Sequence, residues 1–175
     1  MLRPLTPDDY PFVRMIELSP ELGPRWRFRG TTPSPQEWER QTWSAVLAQF
    51  IVVAKETTEA LGMVTAYEAN FQDGHARLAA AKFDPDDRSP LMMFGVTLFI
   101  EYVFTCWNLR KLYIEVPEYN YEQFASGEGR YFAVEGRLRE HSYYDGELWD
   151  RLILAVHRDR WAEWSDRLLQ AQAVP

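Results

Sequence analysis

Between Pro90 and Trp107 the chain is apolar on almost every side, with LMMFGVTLFIEYVFTC at its centre, over a length suited to a helix. A helix of that kind has no broad polar face to give to water and belongs in a buried position. Ser89 is expected as its N-cap, with Pro90 at the first helical position, where a missing N–H costs nothing. That assignment puts Arg88 to Met93 at a strand-to-helix turn.

The segments on either side supply strands to cover it. Phe50 to Lys55 and Leu61 to Asn70 are rich in β-branched residues and are joined by the polar turn Glu56-Thr57-Thr58-Glu59, and His75 to Phe83 follows Gln72-Asp73-Gly74. Three consecutive antiparallel strands are therefore expected at the sheet centre. Downstream, Leu112, Ile114 and Val116 alternate with Tyr113 and Glu115 before Pro117 ends the strand. A short helix is expected near Asn120 to Ala125. A long hairpin is expected from Tyr131 to Tyr143 and Glu147 to His157, turning at Tyr144-Asp145-Gly146. An amphipathic helix from Asp159 to Gln172 follows.

The N-terminal third reads as a strand at Leu2 to Leu5, then a helix from Pro7 to Leu18 capped by Thr6, with Phe12, Val13 and Ile16 on its inner face. Ser19 to Pro33 is punctuated by Pro and Gly around Arg25-Trp26-Arg27-Phe28-Arg29, a long loop or a loop holding a short strand. Ser34 and Glu37 form a capping-box pattern for a helix running to Ala48. The expected fold is α/β (α+β): one domain, residues 1–175, with a mixed, mostly antiparallel central sheet of about seven strands flanked by helices.

Size and charge bound the function. A chain of 175 residues, 46% hydrophobic and 15% aromatic, has the material for one mixed core. The seven Trp and ten Phe exceed what that core needs, which places aromatics in a groove or interface and leaves a monomer or a homodimer open. A net charge of -7 argues against a generally nucleic-acid-binding surface, although a local basic patch is compatible with it. The lone Cys106 has no internal disulfide partner, and the N-terminus shows neither an apolar signal core nor a cleavage site. No run reaches the roughly 18 apolar residues of a membrane span. The expectation is a soluble, cytoplasmic protein without a membrane partner.

The stretch Asn108 to Asp150, NLRKLYIEVPEYNYEQFASGEGRYFAVEGRLREHSYYDGELWD, resembles the second half of a GCN5-related N-acetyltransferase of the ribosomal-protein alanine acetyltransferase branch. Its strongest positions are Asn108 to Leu112, Asn120, Glu135 to Arg139, Asp145-Gly146 and Trp149-Asp150. The order of elements fits that superfamily along nearly the whole chain. The resemblance implies an acyltransferase that draws on acetyl-CoA or another acyl-CoA and acylates an amine of a small molecule, peptide or protein terminus. It places the donor against Phe83, Arg88, Ser89, Leu91, Met92, Met93 and Asn120. The match departs from the family at the donor turn, where an Arg/Gln-x-x-Gly-x-Gly/Ala cradle is usual and this chain has Arg88-Ser89-Pro90-Leu91-Met92-Met93. Leu91 and Met93 replace both glycines, and Pro90 removes one amide donor.

Amide formation requires a neutral amine and stabilisation of the developing oxyanion. The carboxylates expected to serve are Glu68, at a strand end, and Glu115, facing opposite Leu112 and Ile114, with His75 as a group titrating near neutrality. The family's usual acid, a Tyr seven residues after Asn120, is Gly127 here, and the related branch's Ser is Gln123, so Ser126 or Tyr121 is left to replace it. Tyr67, Tyr113, Arg25, Arg27 and Arg29 are candidates for contact with substrate or RNA. The lost glycines leave aminoacyl-tRNA as an alternative donor, and together with the missing Tyr they leave a non-catalytic binding protein as a third reading. His75, His141, His157 and Cys106 lack metal-ligand spacing, so no metal is expected.

Overall fold

A computed structural model describes residues 1–87, 89–122 and 125–171, with side chains described through residue 165. Arg88 and Gln123, both singled out in the sequence, lie outside the described residues. The elements in chain order are β1 (Leu2–Pro4), α1 (Tyr10–Glu17), α2 (Pro35–Thr42), β2 (Val46–Val53), β3 (Ala60–Asn70) and β4 (His75–Lys82). They continue with α3 (Leu91–Cys106), β5 (Lys111–Pro117), α4 (Glu118–Tyr121), β6 (Ala133–Tyr144), β7 (Glu147–His157) and α5 (Arg158–Ala171). The strands form one seven-stranded sheet in the order β1-β2-β3-β4-β5-β7-β6, antiparallel except where β4 meets β5. This is the single-domain α/β architecture expected from the sequence.

Period-two alternation divides the sheet into two faces. Val52, Val64, Leu78, Leu112 and Leu154 point toward α3 and build the larger core with Phe99, Ile100 and Val103. Ile51, Val53 and Met63 point the other way, toward α1 and α2, and pack with Val13, Phe28 and Trp38. Helix α3 crosses β2 where Gly95 stands; a Cβ there would lie 2.3 Å from Val52 Cγ1, so only a glycine permits this approach. The helix is covered on the sheet side and by α5, while Leu91, Met93 and Tyr102 remain exposed. Its all-round apolarity therefore overstates its burial. No helix among the described residues is long and apolar enough to cross a membrane.

Several boundaries differ from expectation, each for a local reason. Helix α2 ends at Thr42 instead of Ala48, because Ala45 takes a positive φ of 55° and releases Val46 to Val53 as strand, so β2 begins four residues before Phe50. Ser34 accepts from Glu37 N at 3.3 Å, but the reciprocal half of the capping box is absent: the Glu37 carboxylate is taken by Arg40. Pro7 to Asp9 form a 3-10 turn ahead of α1, with Thr6 N donating to Asp9 Oδ2 at 3.0 Å. Before α3, Ser89 does not cap. Its N–H and hydroxyl both donate to Asp87 at 2.8 Å, and Pro90 occupies the cap position. The segment around Arg25 to Arg29 holds a 3-10 turn at Gly23–Arg25 and no strand, and it closes on itself through Gly30 N to Gly23 O at 3.1 Å. The β6–β7 hairpin turns through Asp145 (φ 52°) and Gly146 (φ 81°), the left-handed pair that Asp-Gly supplies.

Candidate active site

Strands β4 and β5 start side by side and then part. Their pairing covers only His75↔Lys111, Ala76↔Leu112 and Arg77↔Tyr113, although β4 runs on to Lys82 and β5 to Pro117. Phe83 donates to Leu61 O at 3.0 Å, which by antiparallel alternation turns the backbone polar groups of Leu78, Ala80 and Lys82 toward β5. The Arg77↔Tyr113 pair still takes the Leu78 N–H, and beyond it no strand meets the Leu78 carbonyl, Ala80 or Lys82. The result is a cleft in the sheet with a free backbone edge along one wall.

A cavity of about 330 Å³ lies on the α1/α2 side of this cleft. Its floor is the sheet: Thr65 and Tyr67 from β3, Ala79 from β4, Glu115 and Pro117 from β5, and Arg151 from β7. Its roof is the arginine loop, which brings Arg25, Trp26, Arg27 and Arg29 over the strands. Four guanidiniums thus face one carboxylate in a protein whose net charge is -7. An outer cavity of about 730 Å³ shares Arg29 and Arg151 with the inner one and is bounded by the β6–β7 hairpin around Tyr143 and Tyr144.

Two of the four arginines hold the roof in place. Arg27 donates to Thr42 O at 2.9 Å and to Gln49 Oε1 at 2.8 Å, and its Nε lies 3.7 Å from Glu17. Glu17, on α1, has no solvent exposure and accepts from the indoles of Trp26 at 2.7 Å and Trp38 at 2.8 Å. Burial pushes the Glu17 carboxyl above its ordinary range, against the pull of Arg27 and the two indoles. Arg25 bonds Asn120 Oδ1 and lies over the rings of Tyr119 and Tyr144, at 5.6 and 5.5 Å from their centroids. The arginine loop is pinned to α1, α2 and α4.

On the floor, Glu115 is held between Arg77 and Arg151, the latter at 3.0 Å, and Arg77 also pairs with Glu68 at 2.7 Å. Glu68 sits at the bulge that ends regular β3 pairing, with φ 48° and its N–H on Ala45 O. Burial raises the Tyr67 phenol, so it stays protonated at neutral pH. Burial also lowers Arg29 and Arg151, Arg29 further through its repulsion with Arg151 and Arg151 further through Arg77.

Of the residues proposed from sequence, the structure brings Glu115, Tyr67, Arg25, Arg27 and Arg29 together in the inner cavity, with Glu68 at its rim. His75 and Tyr113 lie at the closed end, where the strands pair and their rings meet edge-on at 5.5 Å. Phe83 packs edge-on against Phe12 of α1. Met92 turns into the core, facing Gly62 on β3, while Leu91 and Met93 flank the start of α3 in solvent. Ser126 lies exposed on a 3-10 turn and lines neither cavity, and Gly127 is buried against Phe132. Tyr121 donates to Glu128 at 2.6 Å, which pushes its phenol up to about 12. Among the described residues no group of His, Cys, Asp and Glu is placed to hold a metal.

Glu17, Gln49, Thr65 and Arg151 were not anticipated. Arg151 carried a signal: it directly precedes the apolar run Leu152 to Val156 and shares a sheet face with Ile153, where a charge needs a partner.

No family model and no curated protein matches the chain. Solved structures do match in fold. The spermidine N-acetyltransferase from Vibrio cholerae in complex with CoA and spermine superposes with a TM-score of 0.79 at 21% identity, covering 93% of this chain and 97% of that one. The spermidine/spermine N-acetyltransferase SpeG from Vibrio cholerae in complex with manganese ions gives 0.74 at 21% identity, covering 95% of each chain. A chimera of that enzyme and hSSAT gives 0.76 at 22% identity, covering 93% of this chain and 99% of that one. The fold is therefore that of the GCN5-related N-acetyltransferases.

Proposed function

We propose that this protein is an N-acyltransferase that moves an acyl group from acyl-CoA to an amine. The observation that carries this reading is the parting of β4 from β5 after Arg77 and Tyr113, with a polar cavity beside the gap. The same fold in the Vibrio cholerae enzyme is described in complex with CoA and spermine, which supports a donor of that kind here.

The residues present fit such a donor. The free edge at the Leu78 carbonyl, Ala80 and Lys82 suits the amides of an extended pantetheine arm. At the start of α3 the first helical bond runs from Phe94 N to Pro90 O, so the amides of Leu91, Met92 and Met93 have no partner within the helix and suit a phosphate. No glycine opens that turn, and the apolar side chains of Leu91 and Met93 narrow it. When bound, acyl-CoA supplies an activated carbonyl and a thiol leaving group.

The cavity's own residues prepare the acceptor. An amine among the arginines that line the cavity is disfavoured as an ammonium ion by like-charge repulsion, so it arrives neutral and nucleophilic. The Glu115 carboxylate, fixed by two arginines, orients the amine N–H. As the C–N bond forms and the C–S bond breaks, the amine proton leaves through Glu115 Oε2 or solvent. The protonated Tyr67 phenol donates to the charge that develops on the departing group. The arginine loop roofs the cavity and limits water.

Amine class is read from the wall. The Asn108 to Asp150 likeness to the ribosomal-protein alanine branch favours a peptide terminus, and the matching solved structures are polyamine enzymes, yet the wall carries four arginines. Aminoacyl-tRNA as donor calls for a basic outer surface. Arg27 instead spends its donors inside the protein and Arg25 is tied to Asn120, which favours a small ligand. Calorimetry with CoA and acetyl-CoA tests the donor: binding in the micromolar range is expected, and no heat at about 1 mM rejects it.

A further inference from the structure

We propose that the inner cavity selects a carboxylate-bearing small molecule, whose carboxylate is held between Arg29 and Arg151. Both residues line the inner and the outer cavity, so they stand where a ligand passing inward must meet them. Both also keep donors free. Arg151 uses Nε on Ser142 and Nη1 on Glu115, which leaves Nη2 uncommitted. Among the described residues no hydrogen bond or ion pair engages the Arg29 guanidinium. Arg27, by contrast, is spent on Thr42 and Gln49, and Arg25 lines only the inner cavity, tied to Asn120 and set over the Tyr119 and Tyr144 rings.

The Arg29 and Arg151 guanidiniums face one space and repel each other, and Glu115 offsets only Arg151. A carboxylate removes that repulsion and accepts two charge-assisted hydrogen bonds in a fork geometry matched to it. A polyamine meets the opposite field. The one carboxylate lining the cavity, Glu115, is already neutralised by Arg77 and Arg151. The cavity therefore departs from spermidine recognition even though the fold is shared. The proposal rests on the acyl-transfer reading for the ligand's role, as acceptor amine or as acyl chain, but not for its charge.

Calorimetry on the full chain with glutarate, glutaramide and cadaverine compares one carbon-chain length at three charges. Glutarate is expected to bind at least about tenfold more tightly than either of the others. Arg29→Gln, in an exposed loop, is expected to weaken glutarate about tenfold while Arg29→Lys weakens it less; Arg151→Gln serves as the second variant, and circular dichroism checks folding of each. Cadaverine binding as tightly as glutarate, no glutarate binding at about 10 mM, or undiminished glutarate binding in folded Arg29→Gln each overturns the proposal. CoA is titrated separately. If CoA fails while glutarate binds, acyl transfer falls and the anion site stands. With turnover in hand, glutaryl-CoA against butyryl-CoA, and amino acids against their amides with acetyl-CoA, assign the carboxylate to donor or acceptor. A preference for the acid in neither pair overturns it.

Discussion

Arg27 Nε lies 3.7 Å from Oε1 of Glu17, so the roof of the cavity is fixed to a carboxylate with no access to water. Removing that carboxylate strands a buried guanidinium and two indole N–H groups at once. Glu17→Ala is expected to lose about 3–5 kcal/mol of unfolding free energy. Glu17→Gln, which keeps an acceptor for the indoles, is expected to lose about 1–3 kcal/mol. Urea unfolding measures both; a Glu17→Ala protein as stable as the parent rules out the anchoring role.

The same residue sets a pH dependence. Because burial raises the folded-state Glu17 carboxyl above its ordinary 4.5, the folded state binds the proton more tightly than the unfolded one. Its contribution to stability is full below 4.5 and is lost as pH rises through the raised value. Asp9 has the opposite sign. The hydrogen bond from Arg3 holds it at about 2, so its contribution is present above the ordinary 3.8 and disappears as pH falls toward 2. Stability profiles of Glu17→Gln and Asp9→Asn are expected to diverge from the parent in those two separate windows, and coincidence with the parent in either contradicts that assignment.

Gly62 on β3 admits no side chain. A Cβ there would lie 2.3 Å from Ala81 O on the neighbouring strand and 2.6 Å from Met92 Sδ at the start of α3. Gly62→Ala is expected to destabilise by about 1–3 kcal/mol. Met92→Ala added to it is not expected to restore the loss, since the carbonyl contact persists. Thermal unfolding of the single and double variants checks this, and full recovery in the double variant assigns the strain to Met92 alone.

Tyr67 supplies the proton donor in the proposed reaction. Tyr67→Phe keeps the ring and is expected to lower kcat by about 100-fold, with KM changed only a few-fold. Thiol release from acetyl-CoA with an accepted amine follows the rate. An unchanged kcat moves the donor role elsewhere.

The sheet was legible because alternation and turn residues are local: Asp145-Gly146 fixed a hairpin, and the Leu112 to Val116 pattern fixed a strand with two different faces. The beginning of β2 was hidden, because Ala45 holds a positive φ that its residue type does not advertise. Glu115, Tyr67 and the arginine loop, named from residue type and position, lie together in the inner cavity. Glu17 was not, since in sequence it reads as one more acid on an amphipathic helix. Its burial depends on Trp26 and Trp38, which reach it from separate elements. The part played by Asp87 in tying up Ser89 was likewise a contact between two polar loop residues with no periodic signature.

Where strands part inside a sheet, their backbone groups remain open to pairing, and on an outer rim such groups invite aggregation. This molecule keeps one such stretch, from the Leu78 carbonyl to Lys82, inside a notch beside β5. Its true outer edges are less inviting: β1 is three residues long and ends in proline, and β6 is broken by irregular pairing and lined by Arg137, Arg139 and Glu140. A strand edge that would be a liability on the rim is thereby kept inside the sheet, beside the cavity that a ligand would enter.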